Sequence, residues 1–202
     1  MKTKATQIRS QTPAPLPSEA QPVLGQRGRV IQAPGALVFY PLSRSEQARR
    51  ASVDALNQVL ADTLYLRDMF KKHHWQASGP TFYQLHLLFD KFFEEQSELV
   101  DKIGERVQTL GGVSVAMPHE VVEMTKIERT PRGREQVPVQ LSRLLEALAT
   151  ILAETHRLVK IAHENGDDGT ENLIASDVIP TDEKQVWFLS QHLVDTPLVR
   201  AR

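Results

Sequence analysis

The chain has 202 residues, 41% hydrophobic and 24% charged, with 24 Lys and Arg against 25 Asp and Glu. That length suits one domain, which can bury roughly 70% of its unfolded surface, and two would be crowded. A formal charge of -1 excludes a polycation, so any nucleic-acid contact must come from a local basic segment. The lack of cysteine excludes disulfide scaffolds, Cys-zinc sites, iron–sulfur clusters and thiol nucleophiles. No apolar leader follows Met1-Lys2-Thr3-Lys4, and no apolar run approaches the ~18 residues of a membrane helix. The expectation is a cytoplasmic protein with no membrane partner.

Residues 1 to about 41 read as a flexible tail. Thr12-Pro13-Ala14-Pro15-Leu16-Pro17-Ser18 is proline-rich, and Pro22, Gly25, Gly28, Pro34 and Gly35 interrupt the remainder of the segment. Up to residue 29 this tail carries Lys2, Lys4, Arg9, Arg27 and Arg29 against Glu19, so it is locally basic and poor in core-forming residues.

Ordered structure is expected over 42–197, with a short C-terminal tail at 198–202. Ser43-Arg44-Ser45-Glu46 has capping-box spacing. Val53, Leu56, Leu60, Leu64, Met69 and Phe70 then recur at helical intervals to about Gln76. Gly79-Pro80 interrupts, and a second helix carries Leu85, Phe89, Phe92, Leu99, Ile103 and Val107 up to Gly111-Gly112. A short helix fits near 118–125. A third long stripe, Leu141, Leu144, Leu148, Ile151, Leu152, Leu158 and Val159, closes at Asn165-Gly166. The last segment, 169 to about 196, contains Pro180, where a kink or break is expected. The pattern predicts an all-α protein: a four-helix bundle with a short helix between the second and third long helices.

Chemistry concentrates in His74, His86, Asp90, Asp101 and Glu105. His86 and Asp90 are one helical step apart on the second helix, and Asp101 and Glu105 repeat that step on nearly the same side. Imidazole and carboxylate together suit a redox-active metal such as iron. Asp90 and Asp101 lie about 16 Å apart at 1.5 Å per residue, too far for one ion with bonds near ~2 Å. Two antiparallel copies of the helix across a two-fold would bring His86 and Asp90 of one chain opposite Asp101 and Glu105 of the other, so the spacing predicts a shared site.

With His74-Trp75, Gly79, Phe82, Leu85-His86, Phe89-Asp90 and Gly104-Glu105-Arg106, the spacing resembles the inter-subunit ferroxidase centre of the Dps family, the ferritin-like mini-ferritins. The resemblance covers about residues 43–196. It implies a homo-dodecameric shell built from two-fold dimers, with ferrous iron oxidised by hydrogen peroxide in preference to dioxygen and ferric mineral stored inside. By position, it makes His74, His86, Asp90, Asp101 and Glu105 the ligands of two iron ions, with zinc as an inhibitory or crystallographic occupant. It also marks Trp75 as a radical trap beside the site, His163 as a candidate extra ligand, and Asp168 or Asp177 as lining an ion pore. It places the protein in the cytoplasm at the nucleoid, protecting DNA.

Simpler readings stand beside these. Trp75 would serve as an ordinary packing residue, His73 as a neighbouring or surface group, and His163 as a helix-end histidine favoured by the dipole. Asp167, Asp168, Glu171 and Asp177 would be acids at a solvated helix start. The rival function is a nucleoid protein that condenses DNA through its basic tails. A larger ferritin is disfavoured, because its di-iron site needs Glu-x-x-His pairs and this chain has none.

Overall fold

In a computed structural model, residues 30–195 are described. The basic positions Lys2, Lys4, Arg9, Arg27 and Arg29 lie outside them. Residues 34–195 belong to one compact unit. Its helices are α1 (Glu46–Gln76), α2 (Phe82–Thr109), α3 (Pro118–Met124), α4 (Val137–Glu164), α5 (Asp168–Leu173), a π turn (Ile174–Val178) and α6 (Ile179–Gln191). Among the described residues there is no strand, and no helix is long and apolar enough to cross a membrane.

The predicted helices are present, with local corrections. Ser45, not Ser43, caps α1, its hydroxyl accepting from Ala48 N at 3.1 Å. Ser43 instead turns the chain with a φ of 51°. Packing onto the bundle begins ahead of α1. Leu37 and Leu42 lie against the core, and Val38 N donates to the Gly111 carbonyl at 2.8 Å. The buried Arg49 guanidinium ties that segment down by donating to the carbonyls of Val38 and Leu110, at 2.7 and 2.9 Å. Gly111 adopts a φ of +86°, and a Cβ there would sit 2.3 Å from the Val38 carbonyl oxygen, so only glycine fits.

No break occurs at Pro180. Helical backbone runs on from Asp168 to Gln191, and only the hydrogen-bond register changes: Ile179 N reaches the Ile174 carbonyl five residues back. Proline removes a donor and crowds the carbonyl four residues before it. The wider ring ends one residue ahead of Pro180, so the proline falls where the α register is already interrupted.

α1 is antiparallel to α2 and to α4, with Arg44 just before α1 donating to the Gly166 carbonyl just after α4 at 3.1 Å. The core divides in two. Leu60, Leu64, Leu99, Ile103, Leu158 and Val178 belong to one apolar cluster; Phe70, Phe89, Phe92, Leu148, Ile151 and Leu189 belong to the other. Phe70 meets Phe92 edge-on at 5.4 Å, a geometry worth ~1 kcal/mol beyond its area. On α2, α4 and α6 a fully buried polar residue lies between the two clusters, Gln96, Thr155 and Asp182 respectively, and on α1 Thr63 is buried just ahead of the switch between Leu64 and Leu66.

Candidate metal centre

α1 ends at Gln76 and α2 begins at Phe82, so the intervening turn sets His74 against His86. Their rings stack at 3.7 Å, and their backbones and side chains exchange hydrogen bonds: His74 Nδ1 donates to the His86 carbonyl at 2.7 Å, and His86 Nδ1 donates to the His74 carbonyl at 2.9 Å. A carbonyl can only accept, so both Nδ1 atoms carry hydrogen. In the neutral rings each Nε2 is then a lone-pair donor, and the bond from Nδ1 to a carbonyl fixes the ring's orientation, as it does in metal-binding histidines.

Asp90, one turn beyond His86, has Oδ1 at 3.9 Å from His74 Nδ1. Lys71, one turn before His74 on α1, donates to the same oxygen while its ammonium lies 4.2 Å from the Phe93 ring centre. The Lys71 hydrogen bond, with the neighbouring imidazoles adding to it, holds the Asp90 carboxyl below the usual carboxylate range. Its second oxygen, Oδ2, has no such partner among the described residues. Spacing gives no hint of Lys71, because it is not a ligand type and its bond to Asp90 spans 19 positions.

Asp101 and Glu105 are both exposed on α2. They line an open groove of about 790 Å³ with Leu60, Leu64, Arg67 and Ser114. Within one chain, then, the structure brings together three of the five expected ligands and sets the other two apart. Among the described residues, no three His, Asp or Glu side chains of one chain converge as they stand to hold a metal ion.

Trp75 is 69% exposed, which removes the core-packing reading. His73 is fully buried rather than at the surface, 6.4 Å from the Phe89 ring; burial, then the Lys72 charge, pushes its pKa down to about 4, so the ring is neutral. His163 stands at the end of the bundle opposite His74, exposed, with Nδ1 3.2 Å from Glu171. Asp177 is bound by Lys102 at 2.9 Å, whereas Asp168 is exposed. Asp167 is not solvated: it is fully buried, accepts from Thr170 and lies against Arg106.

The chain is a bundle of antiparallel helices that carries imidazole and carboxylate donors at its surface, and its class is ferritin-like. A family profile described as Ferritin-like domain matches residues 53–199. The chain is 30% identical over 156 residues to the DNA protection during starvation protein of Halobacterium salinarum, spanning 77% of this chain and 83% of that one. Solved structures agree. DpsC from Streptomyces coelicolor superposes with a TM-score of 0.84 at 52% identity, covering 85% of this chain and 100% of that one. An archaeal Dps homologue from Halobacterium salinarum gives 0.82 at 26%, covering 86% and 97%. The chain belongs to the Dps family.

Proposed function

We propose that this protein oxidises ferrous iron at a centre shared between two subunits and sequesters the ferric product, and that this protects DNA. The observation that carries the reading is the reciprocal imidazole–carbonyl pair. It fixes both histidines as Nε2 donors beside an ionised Asp90, with only half a ligand set in one chain.

In the mechanism, Nε2 of His74, Nε2 of His86 and the Asp90 carboxylate bind ferrous ion from one side. The partner's Asp101 and Glu105 complete the set and hold a second ion. Carboxylates favour the ferric state because their charge offsets the added positive charge. Hydrogen peroxide is the oxidant: its O–O bond breaks, one electron comes from each of two ferrous ions, and two protons complete two waters. Pairing the electrons avoids release of a hydroxyl radical. Trp75, exposed and next to His74, would intercept a stray oxidising equivalent. The shell is a dodecamer of two-fold dimers that stores the mineral, with Asp168 at an ion path. The protein works in the cytoplasm at the nucleoid, in keeping with the name of its starvation-protection relative. Zinc would compete for the same donors. The basic tail, Lys2 to Arg29, would add DNA contacts.

The test is complementation. His74→Ala/His86→Ala and Asp101→Ala/Glu105→Ala chains are each inactive alone. Refolded together in equal amounts, they recover about one quarter of wild-type anaerobic, peroxide-driven ferrous oxidation, because a site needs its His half and its acid half from two different chains. No recovery, in mixtures shown to be mixed oligomers, rules out the shared centre.

A further inference from the structure

The connection between α3 and α4 is pinned at several points. Lys126 N donates to Asp62 Oδ1 at 2.7 Å, and Ile127 is buried. Thr130 N donates to the Tyr65 hydroxyl at 3.2 Å, and the Glu135 carbonyl accepts from Gln140 Nε2 at 2.7 Å. On this held backbone stand Arg129, Arg132 and Arg134, all exposed.

None of the three makes a hydrogen bond or ion pair with a described residue, although the cations around them do. Lys126 is bound to Glu154 at 2.8 Å, Arg157 to the same carboxylate at 3.1 Å, and Arg143 to Glu135 at 2.8 Å. Glu135 is therefore committed, and Glu128 is the one acid between residues 125 and 136 without an ion pair to a described residue. Three free positive charges face one negative charge, on a chain whose formal net charge is -1. A Cβ added at Gly133 meets nothing within 4 Å, so the crest of the loop stands clear of the bundle.

A single bare arginine on a surface signifies little. Three within six residues, on a backbone already fixed, form a preorganised cationic ridge that loses little entropy on binding. The segment from Arg129 to Arg134 spans at most ~17 Å of extended chain. Duplex DNA offers a phosphate on each strand every ~3.4 Å of axis, so the ridge can engage adjacent phosphates. Guanidinium is the cation that grips phosphate with two parallel hydrogen bonds.

We infer that the loop 129–134 is a contact site for the phosphate backbone of duplex DNA, located on the folded domain and separate from the basic tail. This rests on the proposed shell only for its multiplicity, since repeated weak contacts multiply along one DNA molecule. The contact is independent of base sequence, because nothing on the ridge is built to read a groove.

The full-length protein, an Arg129→Gln/Arg132→Gln/Arg134→Gln variant and a deletion of residues 1–29 are titrated with a labelled 30-base-pair duplex at several salt concentrations. The triple variant is expected to bind at least tenfold more weakly. Its log–log salt slope should fall by about 3, roughly one for each phosphate that no longer meets an arginine. The deletion should retain a salt-dependent remainder. Ferrous oxidation and oligomer size, read on the same preparations, should be unchanged in the triple variant, so failure of the iron chemistry and failure of the DNA site are separately visible. Wild-type affinity and slope in the triple variant overturn the inference, as does a wild-type protein that binds no duplex at 50 mM salt. A triple variant whose oligomer size changes while its DNA binding does not assigns the loop to a subunit contact and overturns it too. If the triple variant does not fold, Arg132→Glu, beside the open Gly133, replaces it, with a slope expected to fall by about 1 and wild-type affinity and slope again overturning the inference.

Discussion

Asp182 lies in the polar layer between the two halves of the core, and its ionisation should be measurable as stability. Gln96 Nε2 donates to its Oδ1 at 2.7 Å and to Gln185 Oε1 at 3.0 Å. Asp182 Oδ2 and Gln96 Oε1 have no hydrogen-bond partner among the described residues, so two acceptors are left over on groups already joined. A proton on Oδ2 supplies the missing donor. Burial raises the Asp182 pKa to about 7, with the Gln96 hydrogen bond pulling weakly the other way. From the unperturbed 3.8 this is about three units, or ~4 kcal/mol per subunit. The native state binds this proton more tightly than the unfolded chain. Its contribution is therefore complete below pH ~4 and is lost as pH rises to about 7. The nearest charged group in the same network is Glu95, whose carboxylate accepts from Lys184 and from Gln185. Asp182→Asn keeps the shape, still accepts from Gln96 Nε2 and can donate to Gln96 Oε1. Urea unfolding of both proteins, at one concentration and at pH 5, 6, 7 and 8, isolates the effect because all other titrations cancel. From pH 5 to pH 8 the variant should gain about 2.5–3 kcal/mol relative to wild type, the rest of the ~4 kcal/mol being lost below pH 5. Parallel curves across the range refute the assignment of a buried proton.

Asp167→Ala leaves Arg106 without its buried partner and should cost about 3–5 kcal/mol in urea unfolding. Burial raises the Asp167 pKa, but Thr170 and Arg106 outweigh it and the net value is lowered, so the wild-type stabilisation is present above the usual carboxylate range and is lost as pH falls through the native value. Gly111→Ala drives a methyl group into the Val38 carbonyl and should cost about 2–3 kcal/mol, with residues 36–42 becoming the first site of limited proteolysis. Lys71→Met removes a charge from Asp90. A unit charge a few ångströms away in a water-like medium is worth ~1 kcal/mol, so calorimetry with Co(II) should show about fivefold tighter binding.

The helices were legible because their apolar stripes recur at 3.6-residue intervals and their ends carry Gly and Pro. What the sequence left open depends on distant pairings. Two serines could cap α1; Ser43 is taken up by the turn, at a φ of 51°, and Ser45 caps the helix. Asp167 sits among acids that read as solvated, and its burial depends on Arg106, 61 positions away. The pairing of His74 with His86 was legible from spacing, and their reciprocal carbonyl bonds were not, since these depend on the turn at 77–81. The basic loop does not stand out in the sequence because its net charge is modest; its bareness emerges only once Glu135 and Glu154 are seen to be committed elsewhere.

The π turn also bears on comparison between relatives. From Thr170 to Leu189 the inward-facing residues are Thr170, Ile174, Val178, Asp182, Gln185 and Leu189. Nineteen steps of ~100° overshoot five full revolutions by ~100°, one residue's worth of phase. The turn absorbs that excess, which makes it a surplus residue stored in the helix. A relative with an uninterrupted α-helix here should be one residue shorter between positions 174 and 178 and still present the same inward face. Alignments that force equal lengths through this stretch will pair core positions in one protein with surface positions in the other.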